Sequence, residues 1–157
     1  MSLEKAKSYL AQRGFADRVM EFDVSSATVE LAAAAIGCEA RAIAKTLSFL
    51  VEDKAILIVA AGDSKIDNPK FKATFHTKAK MLSFDAVEPM IGHAVGGVCP
   101  FGINEGVPVY LDASLKSLPT LYPACGTANS AVRLTVEELA LLLPDAVWVD
   151  VCKAPTA

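Results

Sequence analysis

Histidine is scarce in this 157-residue chain. There are two, His76 and His93, and neither has Asp, Glu or His partners at metal-ligand spacing. No metal and no other cofactor is therefore expected. The four cysteines, Cys38, Cys99, Cys125 and Cys152, are far apart and form no Cys-x-x-Cys pair. That argues against a zinc ribbon or a redox dithiol, and scattered single cysteines suit a reducing cytoplasm. No apolar run approaches the ~20 residues of a membrane helix. The longest, residues 55–62, fits a buried strand. Met1-Ser2-Leu3-Glu4-Lys5 lacks a signal-peptide pattern. Neither Gly-x-Ser-x-Gly nor a phosphate-loop signature occurs, so the common nucleophilic and nucleotide motifs are missing.

What remains is a globular composition, 53% apolar and 21% charged. The length suits one domain, residues 1–157, with a full core. The net charge of −3 is uneven. Residues 63–80 carry Lys65, Lys70, Lys72, Lys78 and Lys80 against Asp63 and Asp67, while residues 81–157 are strongly acidic. An acidic protein with one lysine band is not a general DNA binder. The band can dock a short nucleic acid through its phosphates, or it can be an ordinary solvated face.

Periodicity predicts a helix over residues 2–13, a short strand at 19–22 and a second helix, Val29–Ile36, capped by Thr28. A helical turn at 39–43 precedes the clearest hairpin, strands 45–51 and 55–61 joined by Glu52-Asp53-Lys54. Helices are expected at 70–75 after Asn68-Pro69, and from Ser83 until Pro89 and Gly92 end it. Further strands are read at 107–111, 120–123, 131–134 and 147–151, with a turn at 114–118. Thr135-x-x-Glu138 is a capping box. Short strands with irregularly interspersed helices make an α+β domain: a mixed, barrel-like sheet with surrounding helices.

Three features stand out chemically. Gly96-Gly97-Val98-Cys99-Pro100-Phe101-Gly102 is loop chemistry, able to fix N–H groups around an anion or developing oxyanion. It can equally be a tight turn over a buried Phe101. Lys45 shares a strand face with Leu47, Phe49 and Val51. An ammonium opening an apolar face either snorkels to solvent or meets an anion. The loop Gly126-Thr127-Ala128-Asn129-Ser130 can hold a polar ligand group or be a satisfied turn. Cys99, six residues after His93, is either a nucleophile or a buried packing residue.

Together, Thr28-Val29-Glu30-x-Ala32-Ala33, Ile43-Ala44-Lys45-Thr46-Leu47-x-Phe49, Gly62-Asp63, Gly92-His93-x-Val95-Gly96-Gly97-Val98-x-Pro100-Phe101-Gly102 and Gly126 resemble the YbaK/EbsC family. That family is also called the prolyl-tRNA synthetase-associated domain. The match runs in order over nearly the whole chain, and its length resembles a free-standing member. The resemblance implies a compact editing domain that hydrolyses mischarged aminoacyl-tRNA in trans, without a metal. It implies catalytic roles for Lys45 near the tRNA 3′ end and for the backbone at Gly96 and Gly97, which holds the ester carbonyl. Water or the terminal ribose hydroxyl assists the attack. Thr28, Val98, Cys99, Pro100, Phe101, Gly102, Gly126 and Asn129 are the implied substrate-binding positions, Cys99 standing where a small or hydroxyl-bearing residue is expected. The lysine band would bind the acceptor stem. The expected partners are a mischarged tRNA and, as a further candidate, an aminoacyl-tRNA synthetase, with no membrane or DNA. Two other readings stay open: a non-catalytic module for tRNA ends or a synthetase, and a Cys99-dependent ester or thioester hydrolase.

Overall fold

The computed structural model describes residues 2–154. Met1 and residues 155–157, the ends of the expected 1–157 domain, lie outside the described residues. In chain order the elements are α1 (Ser2–Ala11), β1 (Val19–Glu21), α2 (Val29–Ile36), β2 (Ile43–Val51), β3 (Lys54–Ala61), β4 (Lys65–Ile66) and α3 (Asn68–Phe75). There follow α4 (Phe84–Ile91), β5 (Val109–Asp112), β6 (Tyr122–Pro123), β7 (Ser130–Val132), α5 (Val136–Leu142), β8 (Val147–Val149) and β9 (Cys152–Lys153). The main sheet has the order β6-β2-β3-β5-β8, with β2 and β3 antiparallel and the other neighbours parallel. Two antiparallel ladders, β1-β7 and β4-β9, flank it. The mixed α+β class read from the sequence is the one observed.

β3 explains the longest apolar run. It lies in the middle of the sheet and is covered on both faces. Ile56, Ile58 and Ala60 pack with Phe49 of β2 and Phe71 of α3. Val59 and Ala61 face the opposite way, into a cluster built with Ala6 and Leu10 of α1 and Leu139 and Leu142 of α5. Ala55 and Leu57 meet Val87 and Ile91 of α4. A strand buried on both sides has no polar alternation to show, so it reads as a continuous hydrophobic run.

Several boundaries differ from expectation for identifiable reasons. The hairpin closes through two residues, Glu52 and Asp53, with φ of 51° and 63°, so Lys54 already belongs to β3. Positive φ at both positions matches the twist of the flanking strands. α4 runs through Pro89 and stops at Gly92. Buried Val87 and Ile91 hold the helix, and Asn104 caps its end, donating from Nδ2 to the Pro89 carbonyl (2.9 Å) and from its N–H to the Ile91 carbonyl (2.8 Å). The capping box at Thr135 and Glu138 forms as read.

Candidate active site

A cavity of about 510 Å³ opens against β2, and six consecutive residues of that strand, 43 to 48, line it. Side chains of a strand alternate faces, so such a run can line one cavity only where the strand edge itself is bare. The sheet shows why. β6 pairs only Ile43 and Ala44. Farther along, the segment before α4 takes over: Leu50 N–H donates to the Lys80 carbonyl (2.8 Å) and Leu82 N–H to the Ser48 carbonyl (3.2 Å). Residues 45–47 have no strand neighbour on that side. Ser48 and Leu50 direct their backbone groups to this edge, so by alternation Thr46 does too.

Lys45 lies in this gap, on the face of Phe49, as the alternation predicted. Its ammonium donates to the carbonyls of Ser64 and, at 3.4 Å, Gly62. Only glycine brings that second carbonyl in. A Cβ at Gly62 would lie 2.1 Å from the Ala40 carbonyl oxygen and 2.9 Å from Val29 Cγ1. Half-burial pulls the Lys45 pKa below the usual lysine value, because desolvation penalises the charged form. A lysine held this way is a fixed, partly desolvated cation in the wall of the cavity.

The glycine-rich loop forms another wall. Gly96 and Val98 line the cavity, and their N–H groups have no intramolecular hydrogen-bond partner among the described residues. Gly97 differs from expectation. It is buried, its N–H is spent on the Ala94 carbonyl (3.1 Å), and it does not line the cavity. A Cβ there would sit 2.4 Å from Thr127 N and 2.5 Å from Gly126 C. Gly97 is therefore small so that one loop can rest on the other, and Gly126 is the floor it rests on.

The expected side-chain contacts beyond Val98 lie behind this wall. Cys99 and Phe101 are fully buried in the main core, with Phe101 packed on Tyr9 at 6.0 Å between ring centroids. Pro100 is buried, and Gly102 abuts the Lys5 backbone of α1. The Cys99 thiol lies 3.5 Å from His93 Nε2, but burial pushes its pKa far above neutrality. His93 is also fully buried, with Nε2 at 2.7 Å from the Phe101 carbonyl oxygen, and burial lowers its pKa. This pair braces the loop and offers the cavity no nucleophile. Asn129 is exposed and ties the second loop to the residue after β1, its Nδ2 donating to the Phe22 carbonyl (3.1 Å). Thr28 does line the cavity, though its hydroxyl caps α2 by accepting from Leu31 N–H (3.1 Å).

The five lysines of the band are exposed. Lys70 is committed to Asp150 and the Cys152 carbonyl, both at 3.1 Å. Lys78 and Lys80 precede Met81, which lines the cavity mouth. Among the cavity residues that sequence reading missed, four stand out chemically. Ser26 Oγ and Thr46 Oγ1 are buried hydroxyls without a hydrogen-bond partner among the described residues. Met81 and Phe84 are large apolar side chains left 57% and 75% exposed at the mouth. No signal in the sequence separates these from ordinary strand hydroxyls and helix-start residues. Among the described residues no cluster of three or more His, Cys, Asp or Glu could hold a metal ion.

An α+β fold whose cleft presents a lysine, backbone N–H groups without an intramolecular partner and no cysteine among its lining residues suits a protein that positions an already activated substrate. The model of the aminoacyl-tRNA editing domain matches residues 24–142, and the chain belongs to that family. It is 52% identical over 154 residues to the uncharacterized protein YwhH of Bacillus subtilis, covering 98% of both chains. It is 28% identical over 92 residues to the proline–tRNA ligase of the same organism, matching 58% of this chain and 16% of the ligase. A crystal structure of a candidate trans-editing enzyme for prolyl-tRNA synthetase superposes with a TM-score of 0.87 at 32% identity, covering 98% of each chain. No helix among the described residues is long and apolar enough to cross a membrane.

Proposed function

We propose that this protein is a trans-acting aminoacyl-tRNA deacylase that removes small amino acids from mischarged tRNA. The observation that carries the reading is the bare edge of β2, where desolvated Lys45 faces a cavity walled by Gly96 and Val98. An aminoacyl ester is already activated, so hydrolysis needs little more than water and stabilisation of a tetrahedral oxyanion. The free N–H groups of Gly96 and Val98 serve as oxyanion donors. The ammonium of Lys45 neutralises the terminal phosphate or orients the ester carbonyl. Water or the adjacent ribose hydroxyl attacks. The unpartnered hydroxyls of Ser26 and Thr46, with the outward carbonyl of Thr46, are acceptors for the substrate's α-ammonium.

The cavity must hold the ester and part of the terminal nucleoside. Ala27, Ala32, Ala44, Val29 and Ile43 then leave an apolar recess for a small side chain. Losing a methylene contact separates substrates by only ~1–3 kcal/mol, whereas overfilling a packed recess forces distortion. The test is a panel of tRNAs charged with alanine, serine, cysteine, leucine or phenylalanine. Small residues should be released and bulky ones spared. Comparable rates on alanyl- and phenylalanyl-tRNA would refute the recess. No hydrolysis of any member would leave a tRNA-end or synthetase-binding module instead.

A further inference from the structure

The apolar stripe of α4 does not end in the core. Phe84, Val87 and Ile91 follow one another at helical spacing, and Val87 and Ile91 are buried against β3. Phe84, on the same stripe, emerges at the cavity mouth with 75% of its surface exposed. Met81, 57% exposed, and Val95, 47% exposed, stand on the same rim. A folded chain gains by covering an exposed phenylalanine, yet among the described residues none does so. Lys78 and Lys80 lie immediately before Met81, and both are exposed. An aromatic face on a rim reached by a segment carrying two exposed cations offers the two elements that bind single-stranded nucleic acid: cations for the backbone and a ring to stack a base.

We infer that Phe84 is the stacking platform for the terminal base of a single-stranded 3′ end, with Met81 bordering it and Lys78 and Lys80 holding the preceding phosphates. The inference rests on the deacylase reading for the identity of the strand, since the ester must enter the cavity from the terminal ribose. It adds the surface that orients that ribose. A stacked base fixes the nucleoside at the rim, and the ester then reaches the edge of β2. Stacking tolerates any base, so the platform supplies affinity and register rather than choice of amino acid.

The experiment uses Phe84→Ala, Phe84→Leu and Phe84→Trp. On alanyl-tRNA, Phe84→Ala should raise KM about tenfold or more with little change in kcat. Phe84→Trp should restore KM, and Phe84→Leu, apolar but without a π-face, should not. The thermal midpoints of all three should stay near wild type, because the ring packs against little. Independently, the trinucleotide CCA should quench the indole fluorescence of Phe84→Trp and leave that of wild type, whose single tryptophan is Trp148, unchanged. Rescue by leucine, or wild-type KM in Phe84→Ala with active enzyme, overturns the platform. Quenching by CCA in a protein that hydrolyses no aminoacyl-tRNA upholds the platform and overturns the deacylase reading instead.

Discussion

Gly97→Ala separates a loop that acts by its shape from one that merely fills space. The added methyl would lie 2.4 Å from Thr127 N and 2.5 Å from both Gly126 C and Thr127 Cα. These are backbone atoms and cannot rotate away. Ordinary carbon contacts begin near 3.5 Å, so the two loops must part by about 1 Å. Overpacking of this kind costs about 1–3 kcal/mol. For a domain of this size each kcal/mol shifts the midpoint by about 2–4 °C, so the variant should melt about 2–12 °C lower. The same displacement carries Gly96 and Val98 away from the ester, and an error of about 1 Å in positioning costs on the order of 100-fold in rate. Thermal unfolding measures the first effect. Single-turnover hydrolysis of a saturating mischarged tRNA, well below the variant's midpoint, measures the second. A variant that melts lower but keeps its single-turnover rate would refute the catalytic role of the loop. One with a wild-type midpoint would refute the packing argument itself.

Lys45→Met should abolish deacylation without lowering the melting temperature. Burial depresses the folded pKa of Lys45, so the native state carries a desolvation penalty that is full below that pKa and fades as pH rises toward the ordinary lysine range. The variant should therefore match or exceed wild type in stability at neutral pH, with the gap closing at alkaline pH; a large loss of stability would make the lysine structural. Cys99→Ser should retain most activity and lose some stability, because a hydroxyl replaces a buried thiol beside the Phe101 carbonyl. A folded but inactive Cys99→Ser protein would revive covalent catalysis. Neutralising Lys78 and Lys80 together should raise KM for mischarged tRNA and reduce the salt slope by about 2, one unit per phosphate contact. Lys70→Met should do less, since Asp150 already occupies that ammonium; equal effects would mean the band acts only as diffuse charge.

The parts of the site set by local rules were readable. Alternation along residues 45–51 put Lys45 on the Phe49 face, and Lys45 is found there, half-buried, because strand geometry depends only on neighbours. Thr28 and Thr135 announced their helices through side chains that serve N–H groups three residues on. The glycine-rich loop was conspicuous for the same reason, but the reason for each glycine was not. A glycine is demanded equally by a ligand and by another stretch of backbone. Gly97 answers to Thr127, thirty positions away in the chain, and no local pattern records that approach. Cys99, Pro100 and Phe101 entered the expected site through the resemblance of the whole glycine-rich motif, although the chain after Val98 dives into the core. The cavity itself depends on something still less local. It exists because β6 is two residues long and releases β2 after Ala44. How far two strands stay paired is decided between segments far apart in the chain. Ser26, Thr46 and Phe84 therefore became functional candidates only once that gap in the sheet was known.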